Sequence, residues 1–134
     1  MYTLGSVLIV DDDPIFRARV VAYYTERHHA HVVEAENGKE AIRVVESTQK
    51  QFDLILCDLN MPEVDGIELF GALARARFTG AVAVMSGEIL AIIEMAGVLA
   101  KHFGLNFVKS IRKPLSTEKL DNLTLEAMAV LDAA

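Results

Sequence analysis

Val7-Leu8-Ile9-Val10-Asp11-Asp12-Asp13-Pro14 sets the pattern for the rest of the chain. A run of four apolar residues is too short for a helix and suits a strand buried on both faces. Asp13-Pro14 then reads as the N-cap and first residue of a helix, because an Asp oxygen accepts the free N–H groups there and Pro needs none. One strand, one turn and one helix make a unit, and the unit recurs down the chain. The first helix is expected to reach about His28, with Ile15, Ala18, Val21 and Ala22 inward and Arg17, Arg19, Glu26 and Arg27 outward. A weak strand over 31–35 follows, then an Asn37-Gly38 turn and a helix over 39–50 carried by Ala41, Ile42 and Val45. A strand over 53–57 ends in Asp58, and a Pro/Gly-containing loop leads to a helix over 67–77. A strand over 81–85 ends in Ser86, before a helix over 88–103. A poorer strand over 106–112 ends at Lys113-Pro114, and Ser116 caps a last helix to about Leu131.

Strands alternating with helices of this length imply a parallel sheet covered on both faces. Right-handed crossovers leave few arrangements. The fold class is α/β, a doubly wound (βα)5 sheet with the flavodoxin-like strand order 2-1-3-4-5.

Composition narrows the function. A chain of 134 residues is about one domain. At 52% apolar and 24% charged it is too apolar for a disordered segment. One cysteine excludes an internal disulfide and fits a reducing compartment. No apolar run approaches the ~18 residues that span a membrane, and Met1-Tyr2-Thr3-Leu4 carries no signal-peptide pattern, so a cytoplasmic location is expected. Thirteen basic against nineteen acidic residues give a net charge of −6, which disfavours nucleic acid as a partner.

Open parallel sheets bind ligands outside the carboxyl ends of their strands. Here those ends carry Asp11-Asp12-Asp13, Asp58, Ser86 and Lys113. Asp11, Asp12 and Asp58 belong to neighbouring strands, and three crowded carboxylates repel unless a cation intervenes. Carboxylates with a backbone carbonyl and water make a ligand set for Mg2+, which leaves room for an oxyanion. Lys113 and the Ser86 hydroxyl are placed to hold its oxygens, and a carboxylate is a nucleophile toward phosphorus. Blander readings exist: an acidic helix start favoured by the macrodipole, a capping Ser86, a solvated Lys113. Asp13 reads as only a cap, and Asp65-Gly66 as loop punctuation. His28, His29 and His31 lack a set of zinc ligands at the usual spacing and suit a helix end. Cys57 reads as a small core residue.

Val10-Asp11-Asp12, Asp58-Leu59-Asn60-Met61-Pro62-Glu63-Val64-Asp65-Gly66, Met85-Ser86-Gly87-Glu88 and Lys113-Pro114 occur in that order. On these motifs the chain resembles the receiver domains of bacterial two-component response regulators, over residues 5 to 130. The resemblance implies that residues 1–134 form a single receiver domain with Asp58 as phosphoacceptor. It implies Asp12, Asp58 and the Asn60 carbonyl as Mg2+ ligands, with Asp11 holding a metal-bound water. It implies Ser86 and Lys113 on the phosphoryl oxygens, and Asn60 and Glu88 at the positions that tune phosphate lifetime. The implied partner is a histidine kinase or phosphotransfer protein, and the implied output runs through the face of helix 4, strand 5 and helix 5, toward an output domain or a homodimer. Such a domain catalyses only its own phosphorylation and dephosphorylation. Two departures stand out. Ser110 occupies the place, three residues before the lysine, where the family often has an aromatic switch, with Phe107 three residues earlier. The stretch Leu99 to Asn106 is similar to receivers fused to cyclic-di-GMP phosphodiesterase (EAL) domains.

Helix 4 is apolar nearly all round, which marks either a broad core stripe or a partner surface. Two rival functions set limits. A haloacid-dehalogenase-type phosphatase would use Asp11 of Asp11-x-Asp13 as nucleophile, but needs an acidic pair beyond the lysine, where only Glu118 and Asp121 follow inside the last helix. A phosphate-independent pseudo-receiver would keep the fold as an interaction module. Residues 115–134 hold one helix, so no DNA-binding output is expected in this chain.

Overall fold

Each apolar run becomes a strand and each amphipathic segment a helix. A computed structural model describes residues 4–47, 51–59, 66–87 and 90–133. In chain order the elements are β1 (Ser6–Val10), α1 (Pro14–His28), β2 (His31–Ala35), α2 (Gly38–Ser47), β3 (Leu54–Asp58), α3 (Gly66–Arg75), β4 (Ala81–Ser86), α4 (Leu90–His102), β5 (Asn106–Arg112) and α5 (Thr117–Asp132). All neighbouring strands are parallel, in the order β2-β1-β3-β4-β5. This is the doubly wound α/β fold expected from the alternation. The central strands β1, β3 and β4 are buried along their whole length, as continuous apolar runs covered on both faces must be.

Alternate strand residues feed two cores. Leu8, Val10, Ile55, Cys57, Val82 and Val84 pack against α2, α3 and α4. Val7, Ile9, Leu54, Leu56, Ala83 and Met85 pack against α1 and α5. α1 starts as expected: Asp13 Oδ1 accepts from the Ile15 and Phe16 N–H groups, with Pro14 first in the helix. Its inward face differs from the expectation. Ile15 is 69% exposed, Ala18 and Ala22 face water, and Val20, Tyr23 and Tyr24 are buried instead. The tyrosines win that face because α5 supplies partners for their hydroxyls: Tyr23 donates to Asp121, and Tyr24 lies 2.9 Å from Thr124. Val82 pairs with Phe107 but Val84 with Ser110, so β5 carries one extra residue beside β4. Phe107 packs on the α4 side, Val108 on the α5 side, and Lys109 pairs with Glu126 of α5 at 3.2 Å.

On α4, Ala96, Gly97 and Ala100 are buried, whereas Met95 and Val98 are 63% and 67% exposed. The helix therefore has an outer face, on which Met95 and Val98 stand among the exposed Glu94, Lys101 and His102. Ile89 and Glu88 lie outside the described residues. No helix among the described residues is long and apolar enough to cross a membrane.

Candidate functional site

Parallel register brings the carboxyl ends of four elements to one place. Val10 is opposite Cys57, Asp58 opposite Met85, and Ser86 opposite Arg112. Asp11 therefore leaves β1 beside Asp58, and Lys113 leaves β5 beside Ser86, whose carbonyl accepts the Lys113 N–H at 2.9 Å. Asp11, Asp58 and Ser86 are buried, and Asp12 is exposed. One carboxylate oxygen from each of Asp11, Asp12 and Asp58 lies within 4.8 Å of the other two. The Lys113 ammonium is 2.9 Å from Asp11 Oδ2 and 3.4 Å from Asp58 Oδ2. The Lys113–Pro114 peptide bond is cis.

The electrostatics follow from this crowding. Burial works against the Lys113 ammonium, but the hydrogen bond to Asp11 and the charges of Asp58 and Asp11 outweigh it and hold its pKa above the ordinary lysine value. Burial, with Asp58 and Asp11 nearby, pushes the Cys57 thiol far up, so this cysteine is inert. The donor set suits a hard cation: three carboxylates, two of them buried beside a single ammonium, offer oxygen and no sulfur or imidazole. Mg2+ fits these residues.

Two neighbours on α1 complete the site, and neither was singled out from sequence. Arg17, expected outward, donates from Nη1 to the Asp11 carbonyl at 2.6 Å and from Nε to Glu34 at 3.0 Å. It thereby ties the acidic loop to α1 and β2. The Phe16 ring centroid lies 4.1 Å from Lys113 Nζ. The sequence signal for both is faint: an arginine and an aromatic in the first helical turn after the acidic run. Asp11 Oδ1 also accepts the Asp13 N–H at 2.8 Å, which fixes the turn. Beside the site, a groove of about 460 Å3 runs from Phe16, Lys113 and Leu115 down between α1 and α5.

Every expected site residue among the described ones is brought together: Asp11, Asp12, Asp58, Ser86 and Lys113. Asn60, the rest of the 60–65 loop and Glu88 lie outside the described residues. The phosphatase reading loses its second aspartate, because Asp13 is spent as the α1 cap. It also loses its distal acid, because Asp121 is engaged by Tyr23 and Arg27 away from the strand ends.

A family model described as the response regulator receiver domain matches residues 7–124. The chain is 31% identical over 121 residues to the cyclic di-GMP phosphodiesterase RocR of Pseudomonas aeruginosa, covering 88% of this chain and 30% of that protein. It is 33% identical over 123 residues to the signal transduction histidine-protein kinase BarA of Shigella flexneri, covering 90% of this chain and 12% of that protein. The chain thus spans a third or less of these curated relatives. Among solved structures, a response regulator receiver protein from Pseudomonas putida superposes with a TM-score of 0.72 at 28% identity, covering 94% of this chain and 99% of that one.

Proposed function

The chain belongs to the family of response regulator receiver domains, and from that premise we propose that Asp58 accepts a phosphoryl group from a phosphohistidine of a kinase or phosphotransfer protein. The observation that carries this reading is the Asp58 carboxylate, buried at a strand end 3.4 Å from the Lys113 ammonium and beside two further aspartates. An Asp58 oxygen attacks phosphorus in line. The O–P bond forms as the P–N bond breaks, and the imidazole nitrogen keeps the electron pair. Lys113 moves from one anionic partner to another, holding a phosphoryl oxygen while Asp11 keeps its other side. The Ser86 hydroxyl holds a second oxygen. Asp12, Asp58 and the Asn60 carbonyl would hold Mg2+, with Asp11 in support. Bound there, the ion neutralises charge on the carboxylates and the phosphoryl oxygens. Catalysis is positioning and charge neutralisation, and the domain turns over no separate substrate. Hydrolysis reverses the state: water attacks phosphorus, orthophosphate leaves, and the carboxylate returns.

The output surface proposed is the face of α4, β5 and α5. The exposed apolar residues Met95 and Val98 on α4 support it. A histidine kinase partner is in keeping with a cytoplasmic site of action. The similarity to RocR makes a cyclic-di-GMP phosphodiesterase module a fitting output partner.

Intact mass after incubation with Mg2+ and a small phosphodonor tests the acceptor. Wild type gains one phosphoryl group and Asp58→Asn gains none. EDTA present during loading abolishes the gain. Label on Asp58→Asn would move the nucleophile elsewhere, with Asp11 next in line. No label on wild type, together with no Mg2+-dependent beryllofluoride binding, would leave the phosphate-independent module.

A further inference from the structure

The Lys113 ammonium has carboxylates on two sides and an aromatic ring on a third. A lysine head is a compact charge on a flexible stem with three N–H groups. Asp11 and Asp58 each accept one of them. The Lys113 side chain is 22% exposed, so water lies within reach of the same ammonium. The Phe16 ring stands 4.1 Å away, half-buried in the first turn of α1. That turn is fixed by Asp13 at the cap and by Arg17, which grips the Asp11 carbonyl and Glu34.

We propose that Phe16 is a positioning residue, whose ring face holds the Lys113 ammonium over the acceptor carboxylate. The inference rests on the reading of Asp58 as phosphoacceptor and of Lys113 as the group that meets the transferred charge. A cation is drawn to the negative face of an aromatic ring, most strongly to Trp, and a partly desolvated site strengthens the attraction. No aliphatic side chain of similar bulk supplies that field. When a phosphoryl oxygen becomes an acceptor of Lys113, the ring limits the ammonium's swing toward water and keeps it aimed at the strand ends. Asp11 alone leaves the stem free to pivot about one contact.

The test uses the full chain with Phe16→Leu, Phe16→Met and Phe16→Trp. In the resting protein, NMR reads the ring-current shift of the Lys113 ε-methylene protons. Intact mass reads the rate of loading from phosphoramidate at saturating Mg2+, and thermal melting reports the fold. Phe16→Leu and Phe16→Met should lose the upfield shift and load about three- to tenfold more slowly, with melting little changed. Phe16→Trp should restore both shift and rate. A purely packing role would make loading follow melting and would not distinguish Trp from Met. Wild-type loading in both aliphatic variants, or equal slowing in Trp and Met, overturns the proposal. Failure of wild type itself to take label, together with no Mg2+-dependent beryllofluoride binding, overturns the acceptor reading, and this one with it. Label on wild type with unchanged rates in the variants overturns this one alone.

Discussion

Lys113 Nζ donates to Asp11 Oδ2 at 2.9 Å, and the Asp11 side chain has no exposed surface. The lysine is the cation that makes a buried carboxylate tolerable in the resting protein. Lys113→Met should therefore lower stability by about 2–3 kcal/mol without Mg2+, because a buried charge loses its partner. The same variant should gain more than wild type from Mg2+, since the ion no longer competes with an ammonium. Ligand stabilisation grows as about 2.7 kcal/mol at a hundred times Kd. Melting curves with EDTA and with saturating Mg2+ check this, and an Mg2+ shift no larger than that of wild type would refute it.

His28 closes α1 against α5, with Nε2 3.5 Å from the Tyr23 hydroxyl. Burial first, then Arg27, lower its pKa below the ordinary 6.5, against the pull of Asp121. The neighbouring Tyr23, pushed up to about 12 by burial and by its hydrogen bond to Asp121, stays protonated throughout the relevant range. In the unfolded chain His28 takes its proton as pH falls through 6.5, before the folded protein does. The unfolded state then binds more protons, so stability declines as pH drops below that value and is unaffected above it. His28→Gln should remove this part of the acid-side loss. Urea midpoints from neutral pH downward should fall more steeply for wild type than for His28→Gln. Parallel curves would mean that His28 does not contribute.

Features fixed by neighbouring residues or by sheet geometry are legible in the sequence, and features fixed by distant side chains are not. Strand ends were legible because a parallel sheet places every carboxyl end on one edge, so Asp11, Asp58, Ser86 and Lys113 meet once the strand order is set. The caps at Asp13 and Ser116 were legible because they depend on two or three residues. The inward face of α1 was not. Its buried tyrosines depend on Asp121 and Thr124, about a hundred residues away, and periodicity cannot see a partner at that distance. Phe16 escaped for the same reason, since its ammonium belongs to Lys113 after the last strand, whereas Arg17 bonds a nearby backbone carbonyl, that of Asp11, which side-chain periodicity does not register.

Gly97 and Phe107 form a knob and a notch between α4 and β5. A Cβ at Gly97 would stand 2.8 Å from Phe107 Cε2 and 3.1 Å from Cζ. In an open helix, Gly→Ala is worth about 1 kcal/mol of stabilisation. Here Gly97→Ala should destabilise by about 1 kcal/mol, because overpacking outweighs propensity. In a Phe107→Leu background the same change should become stabilising by about 0.5 kcal/mol. Denaturant unfolding of the four proteins reads the coupling. Additive effects would show that the ring does not fill the notch.

Tyr24 is fully buried, and its hydroxyl lies 2.9 Å from Thr124 Oγ1. Thr124 spends its own proton on the Leu120 carbonyl at 2.7 Å. Tyr24 must therefore be the donor, and burial raises its pKa so that it keeps the proton. The two ends of this bond are unequal. Tyr24→Phe removes the donor and leaves an oxygen that still has a partner, at a cost of about 0.5–1.5 kcal/mol. Thr124→Val strands a buried hydroxyl and should cost about 2–3 kcal/mol. Combining them removes the stranded group, so the double variant should be more stable than Thr124→Val alone. Thermal or urea unfolding of the cycle decides the matter. A double variant less stable than Thr124→Val would mean that the Tyr24 hydroxyl finds another partner when Thr124 is gone.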